Sequence, residues 1–313
     1  MIYVCGDTHI PLDIGKLSMK NFSEQAKMTR NDFVIILGDF GLLWRKDKTF
    51  FHWLKWLEEK PFTLLWLDGN HENHEWLRSL PLSEWHGGMV HRIAGNILHL
   101  ERGSIFSLEE KYFFVMGGAA SVDRTFRVEG SSWWRDEVPS MAQAYAALQN
   151  IESHHAAGRR IDFVLSHTCP EDIIPKMFHI DPMPDPTSRI LTEVQELVQD
   201  EVKGWYFGHW HEDVDAGKYH CLYDRVLRIL CALESRFWKA SCAYFQLLSF
   251  AVPYHGIEVF SLCLYMEARG GFISWVGWKF RITALALPKT WMPFSIKTMA
   301  GLPKLIFLEP GLS

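Results

Sequence analysis

The sequence predicts a layered α/β fold with largely parallel strands. Three observations carry that prediction. Short β-rich runs alternate with helical ones in the order β-α-β-α-β over the first seventy residues. Several of these runs are apolar throughout, as buried strands are, and they break off at Gly followed by Asp, or at Asp-Gly-Asn. The chain has 313 residues, ample for a sizeable core and enough for about two domains at roughly 150 residues each.

Taken in order, Ile2–Cys5 is a short strand ending in Gly6-Asp7. Asp13–Met28 reads as a helix. Phe33–Leu37 is a buried-strand run ending in Gly38-Asp39, and Lys48–Glu59 carries aromatic and Leu residues at helical spacing. Phe62–Leu67 is a third strand, ending in Asp68-Gly69-Asn70. Beyond these come strand Tyr112–Met116, helix Ser140–His155, strand Ile161–Leu165, helix Thr187–Val198 and strand Gly204–Phe207. Tyr219–Tyr223 and Arg225–Leu230 look like a closing pair of strands. No internal repeat or low-complexity segment interrupts the series.

Composition narrows the class. Hydrophobic residues make up 48% and charged residues 22%, so the chain is globular rather than disordered. A net charge of −5 excludes a wholesale electrostatic nucleic-acid binder, while leaving room for a local basic groove. None of the six cysteines forms a CxxC pair, which argues against a cysteine zinc site and for reduced thiols in a cytoplasmic protein. The start, MIYVCGDTHI, lacks the basic segment and long apolar core of a signal peptide.

The charge is unevenly spread. Residues 231–313 hold eight Lys and Arg against four Glu and no Asp, or +4, which leaves −9 for the first 230. A boundary is therefore expected near Leu230, between a first domain (1–230) and an aromatic-rich, basic extension (231–313). The extension fits no motif. Residues 240–257 are uncharged but contain Gln246, Pro253 and His255, a poor membrane helix. Stable membrane insertion is not expected. Three readings of the extension stay open: a segment foreign to the fold (read-through or a shifted frame), a small packing or partner-binding module, or a membrane contact.

Polar clusters stand where strand runs end: Asp7-Thr8-His9, Gly38-Asp39, Gly69-Asn70-His71-Glu72, Ser166-His167 and Gly208-His209-Trp210-His211. In an open α/β sheet the carboxyl ends of the strands meet at one edge, where ligands bind. Carboxylate, imidazole and amide carbonyl make a sulfur-free donor set suited to divalent Mn, Fe, Zn or Ni. There are too many donors for one tetrahedral ion and enough for two, if one carboxylate bridges. The glycines before Asp7, Asp39, Asn70 and His209 would let the backbone turn sharply out of each strand.

These five blocks, in this order, resemble the calcineurin-like metallophosphoesterase superfamily, whose pattern is DxH, GD, GNH with an acid, H and GHxH. The resemblance covers about residues 1–230. It implies a four-layer sandwich of two mixed β-sheets flanked by helices, with a dinuclear metal site at the strand C-terminal ends. It also implies that Asp7, His9 and His211 hold one metal, that Asn70, His167 and His209 hold the other, and that Asp39 bridges them. His71 would be the catalytic proton donor or phosphate-orienting histidine. Two such ions can share a water, lower its pKa toward neutrality and grip phosphoryl oxygens, so a bridging hydroxide would hydrolyse a phosphoric ester. Manganese is the first expectation for both ions, with Fe, Zn or Ni as alternatives.

The resemblance is closer to small bacterial and phage-type stand-alone phosphoesterases than to Ser/Thr protein phosphatases. Phe40-Gly41-Leu42-Leu43-Trp44 follows Asp39, where the phosphatases carry Asp-Arg-Gly a few residues on. Gly117-Gly118-Ala119, Ser121, Asp123, Trp133-Trp134 and Glu137 match segments of the small group. Ile10-Pro11 departs from the glycine that often follows the first histidine, without removing a ligand. A phosphodiester is favoured over a phosphomonoester, with a nucleotide or nucleic acid as a possible substrate. The alternatives are a phosphomonoesterase or protein phosphatase, and a metal-binding scaffold without turnover.

The remaining residues of interest divide. In the loop Ser121–Glu137, Arg124 and Arg127 would meet the substrate phosphate and the tryptophans stack on a flat group, or the loop is solvated and pinned by packed tryptophans. Glu72 either supports the site or is an exposed acid at a helix start. Cys5 and Cys169 read as packing residues, Trp53, Trp56 and Trp66 as core, and His52, His154 and His155 as surface or packing residues.

Overall fold

The computed structural model describes residues 1–230 throughout. Beyond them it describes the backbone of two strand pairs, Cys263–Arg269 with Phe272–Lys279 and Ser295–Thr298 with Ile306–Glu309, each antiparallel. By compactness the chain divides into Met1–Ser235 and Arg236–Ser313. Residues 240–257, whose composition argued against a membrane helix, lie outside the described residues. Among those described, no helix is long and apolar enough to cross a membrane.

Two mixed sheets form the centre of the first unit. In the first, β1 (Ile2–Cys5), β2 (Phe33–Leu37), β3 (Thr63–Leu67) and β6 (Ile97–Leu100) run parallel. β5 (Gly88–Ala94) and then β4 (Leu82–Trp85) extend that sheet antiparallel beyond β6, and β13 (Val226–Ile229) closes it antiparallel to β1. In the second, β8 (Lys111–Met116), β9 (Phe163–Ser166), β10 (Gly204–Phe207) and β12 (Tyr219–Cys221) run parallel. Its antiparallel edges are β7 (Ile105–Leu108) and β11 (Val214–Ala216).

The strands alternate between faces, and this builds the layers. Ile2, Val4, Phe33, Ile35 and Leu37 point into the core between the sheets, where they meet Phe113, Val115, Phe163 and Leu165. Tyr3, Cys5, Val34, Ile36 and Trp66 point the other way, toward α1 (Lys48–Glu58) and α2 (His74–Ser79) through Phe50, Leu57 and Leu77. Outside the second sheet, Val164, Trp205 and Phe207 pack on α3 (Met141–Ala156), α4 (Ile174–Phe178) and α5 (Pro186–Val198). The result is the expected sandwich of two mixed sheets flanked by helices.

Helix starts follow local chemistry. Asp47 caps α1 by accepting from Thr49 and Phe50 N–H, and Ser140 with Gln143 closes a capping box on α3. The expected helix over 13–28 is instead two short 3₁₀ turns, Ile14–Leu17 and Ser23–Lys27. Side chains take the carbonyls a helix would use: Asn21 donates to Gly15 O, and Gln25 donates to Leu17 O and Phe22 O. The closing pair of strands also differs. β12 joins the second sheet and β13 the first, because the chain bends between them where Asp213 accepts from Tyr223, Asp224 and Arg225 N–H.

Candidate metal centre

The clusters that end β1, β2, β3, β9 and β10 come together at one edge. Asp7, Asp39, Asn70 and His167 are buried. Asp7 Oδ2 lies 3.0 Å from His211 Nε2 and 3.6 Å from His9 Nε2. The two imidazole Nε2 atoms are 3.0 Å apart. On the other side, His167 Nε2 is 3.1 Å from Asn70 Oδ1 and 3.5 Å from Asp39 Oδ1, and the His167 and His209 ring centroids are 5.0 Å apart. Asp39 faces both groups, its Oδ2 being 3.8 Å from His9 Nε2.

The backbone brings these side chains in at close quarters. His9, Asp39, His209 and His211 all have positive φ, between 35° and 69°, an uncommon conformation outside glycine that is held here only by the surrounding structure. Sharp turning by glycine describes Gly38, at φ 97°. At Gly69 and Gly208 the reason is room instead: a Cβ would overlap Asp39 at the first and Asp7 Oδ1 at the second.

Hydrogen bonds then fix the donor atoms. His167 Nδ1 donates to Leu37 O at 2.7 Å, which leaves the Nε2 lone pair facing the site. Asn70 Nδ2 donates to Ser121 Oγ, which donates to Glu137 Oε2, so the Asn70 carbonyl oxygen points the other way, toward His167. Asp7 Oδ1 accepts from His209 N–H. The buried Lys16 ammonium donates to the carbonyl oxygens of Asp7 and Tyr223. Glu72 is fully buried, not an exposed helix-start acid. Its Oε1 accepts from Phe40 N–H beside Asp39, and burial, with the nearby Asp39 charge, holds its pKa well above the usual carboxylate range.

Electrostatics suit a cation. Burial works to raise the Asp7 pKa, but contacts with His211 and His9 outweigh it and hold the carboxylate well below its ordinary value. Desolvation, reinforced by His167, lowers His209 to about 4, so its imidazole is neutral at pH 7 and has a lone pair to give.

A family model for calcineurin-like phosphoesterases matches residues 1–213. The chain belongs to the calcineurin-like phosphoesterase family. No curated protein matches it. Membership implies a hydrolase that works with divalent metal ions, and the residues of this calcineurin-like phosphoesterase fit such ions. Asp7 Oδ2 is buried and makes no hydrogen bond although His211 Nε2 is 3.0 Å away. Such an orphaned carboxylate oxygen is costly without a cation. Two groups, Asp7 with His9 and His211, and Asp7 with Asp39 and His167, each bring potential donor atoms within 4.8 Å of one another.

Besides Ser121, the loop over Ser121–Glu137 reaches this edge through one arginine. Arg127 Nη1 lies 2.9 Å from His71 Nδ1 and Nη2 3.2 Å from Nε2, while Nε and Nη2 each donate to Asp123 at 2.7 Å. His71 in turn stacks edge-on to His9, with centroids 5.4 Å apart. Arg124 is exposed and makes no hydrogen bond into the site. Trp134 packs edge-on against Trp44 and pins the far end of the loop. Cys5 and Cys169 are fully buried, and burial pushes the Cys5 thiol up to about 12, so both are packing residues. Sequence reasoning missed the support given by Lys16, and it noticed Ser121 and Glu137 only as matching letters. A buried lysine and a Ser-Glu relay have no spacing that announces them.

Proposed function

We propose that this chain is a dinuclear phosphodiesterase in which Asp7, His9 and His211 hold one divalent ion, Asn70, His167 and His209 hold a second, and Asp39 bridges them. The observation that carries the reading is the two-sided environment of Asp39. Its Oδ2 faces His9 and its Oδ1 faces His167, and Oδ1 is further fixed by the His71 N–H at 2.7 Å. When bound, such an ion pair supplies charge to phosphoryl oxygens and lowers the pKa of a water. Manganese is the first candidate, with Fe, Zn or Ni as alternatives.

The chain's own residues do the rest. His167 and Asn70 are pre-oriented by Leu37 O and Ser121, which limits reorganisation on binding. His71 carries a proton to the leaving oxygen or holds a phosphoryl oxygen, and Arg127 orients it and offers its guanidinium to the same phosphate. Side-chain positive charge at this edge, beyond the two proposed ions, is sparse: Arg127 shares its guanidinium with Asp123, and Lys16 lies behind Asp7. That supports a singly charged diester over a doubly charged monoester, with nucleotides or single-stranded nucleic acid as the class to test and a cytoplasmic setting.

The test is a screen of bis- and mono-p-nitrophenyl phosphate with Mn, Ni, Fe and Zn, run on the natural chain and on Asp39→Asn. The substitution keeps size but removes the shared charge. Turnover is expected to fall by several orders of magnitude, with a drop in metal content by elemental analysis. Near-normal turnover in metal-loaded Asp39→Asn would sink the dinuclear reading. Faster hydrolysis of the monoester would overturn the diester preference.

A further inference from the structure

A second group of ligating side chains lies on the outer face of the first sheet, and none of its three members belongs to the centre described above. His91 on β5 and His99 on β6 are directly paired across the strands, so their side chains rise from the same face about 5 Å apart. Glu101 follows His99 by two residues and returns to that face. Donor atoms of the three lie within 4.8 Å of one another. The neighbours Val90, Leu98 and Leu100 point into the inner core instead.

Hydrogen bonds already fix both imidazoles. His91 Nδ1 donates to Leu80 O at 2.8 Å, which turns Nε2 toward Glu101 Oε2, 3.2 Å away. His99 Nε2 donates to Asp68 Oδ1 at 3.1 Å, so Nδ1 is the nitrogen left to give a lone pair. That Nδ1 is buried and makes no hydrogen bond, on a side chain 1% exposed. A buried imidazole nitrogen without a partner needs a reason. Asp68 also accepts from Arg102 Nε at 2.8 Å through its other oxygen, and a carboxylate behind a histidine is the usual support of a metal-ligating ring. Glu101 is about a quarter exposed, which gives an ion a way in from solvent.

From these observations we infer that His91, His99 and Glu101 form a separate mononuclear site for a borderline divalent ion, zinc in the first instance, with Asp68 as its supporting carboxylate. Two imidazoles and one carboxylate are a zinc donor set that leaves a fourth position for water. An ion there ties β5 to β6.

The experiment counts zinc on the full chain, stripped with chelator and reloaded, for the natural protein, Glu101→Gln, His91→Ala and Asp39→Asn, with affinities from competition against a chromophoric chelator. The natural chain is expected to take up one equivalent more than Glu101→Gln or His91→Ala, or to hold that equivalent at least 100-fold more tightly. Phosphoesterase turnover should be unchanged in both. Asp39→Asn should keep this equivalent whatever happens to the catalytic metals, so failure of either site is read separately. Glu101→Gln alters a partly exposed side chain and covers the case in which His91→Ala does not fold. Equal zinc content and affinity in the natural chain and Glu101→Gln would overturn the proposal and leave His91–Glu101 a plain ion pair. A cobalt-loaded Asp39→Asn protein gives an independent readout: a visible tetrahedral band that disappears on adding Glu101→Gln supports the site, and its absence counts against it.

Discussion

At the scale of single residues, the role proposed for His71 separates chemistry from metal binding. It follows Asn70 directly, yet its ring faces Arg127 on one side and His9 on the other. His71→Ala is therefore expected to keep its metal content and to lose rate by about 10²–10⁴-fold, the range for a general acid. The loss should shrink on substrates that release p-nitrophenolate, which needs no proton. Equal losses on good and poor leaving groups would assign His71 to phosphate positioning. The arginines differ from one another for a physical reason: Arg127 is half-buried and fixed by Asp123, whereas Arg124, three residues earlier on the same turn, is exposed. Both were equal candidates in the sequence, because nothing in the order of letters says which of two nearby arginines Asp123 holds against His71.

At the scale of elements, the ends of β3 and β10 bring backbone close against a carboxylate. Gly208 has no room for a side chain beside Asp7 Oδ1. Gly208→Ala should retain the fold but push the Asp7 carboxylate aside, and metal affinity is expected to fall about 10–100-fold, as when a ligand's support is disturbed. Isothermal titration of stripped protein reads this directly, and unchanged affinity would mean that Asp7 is not a ligand. A second element-scale device is the ion pair behind β3. Arg102, on the turn between β6 and β7, donates through Nε to Asp68 Oδ2 at 2.8 Å and through Nη2 to the carbonyls of Asp136 and Glu137. Both side chains are about 2% exposed. Asp68→Asn leaves a buried guanidinium uncompensated and is expected to cost about 3–5 kcal/mol, seen as a lower urea midpoint. A loss below about 1 kcal/mol, the value of a surface pair, would show the ion pair to be solvated.

At the scale of the whole molecule, the question is what the first 230 residues do alone. All the proposed ligands precede Leu230, and β13 completes the first sheet by pairing with β1 at Ile2↔Ile229. The proposed boundary near Leu230 also marks the change in charge from −9 to +4. A chain ending at Leu230 is expected to fold, to bind the same metals and to hydrolyse the same substrates. It should be more soluble for having lost an aromatic-rich tail with few charges. Circular dichroism, elemental analysis and turnover check this. An unfolded or metal-free product would place the tail in the core. Loss of one substrate class alone would make the tail a specificity module and remove the read-through reading.

The parallel strands β1, β2, β3, β9 and β10, the polar block at the end of each and the donor types were legible in the sequence, because these are local: a buried strand is a continuous apolar run, and its terminal turn is written in Gly, Asp, Asn and His. Strands β4 to β7 were not read, although Trp85-His86-Gly87-Gly88 and Ala94-Gly95-Asn96 hold their turns. Edge strands such as β4, with three of its four residues exposed, have no apolar run to announce them. The 13–28 segment misled for the opposite reason, since its helical spacing yields to side-chain hydrogen bonds from Asn21 and Gln25 that only the fold supplies. Tertiary structure alone decided that Arg127 rather than Arg124 reaches His71 and that a Ser121–Glu137 relay sets the Asn70 amide. It also decided that His91, His99 and Glu101 share one face. The first two depend on atoms that meet across dozens of residues of chain and the third on the register of one hairpin, and such distances are fixed by packing and strand pairing, not by sequence spacing.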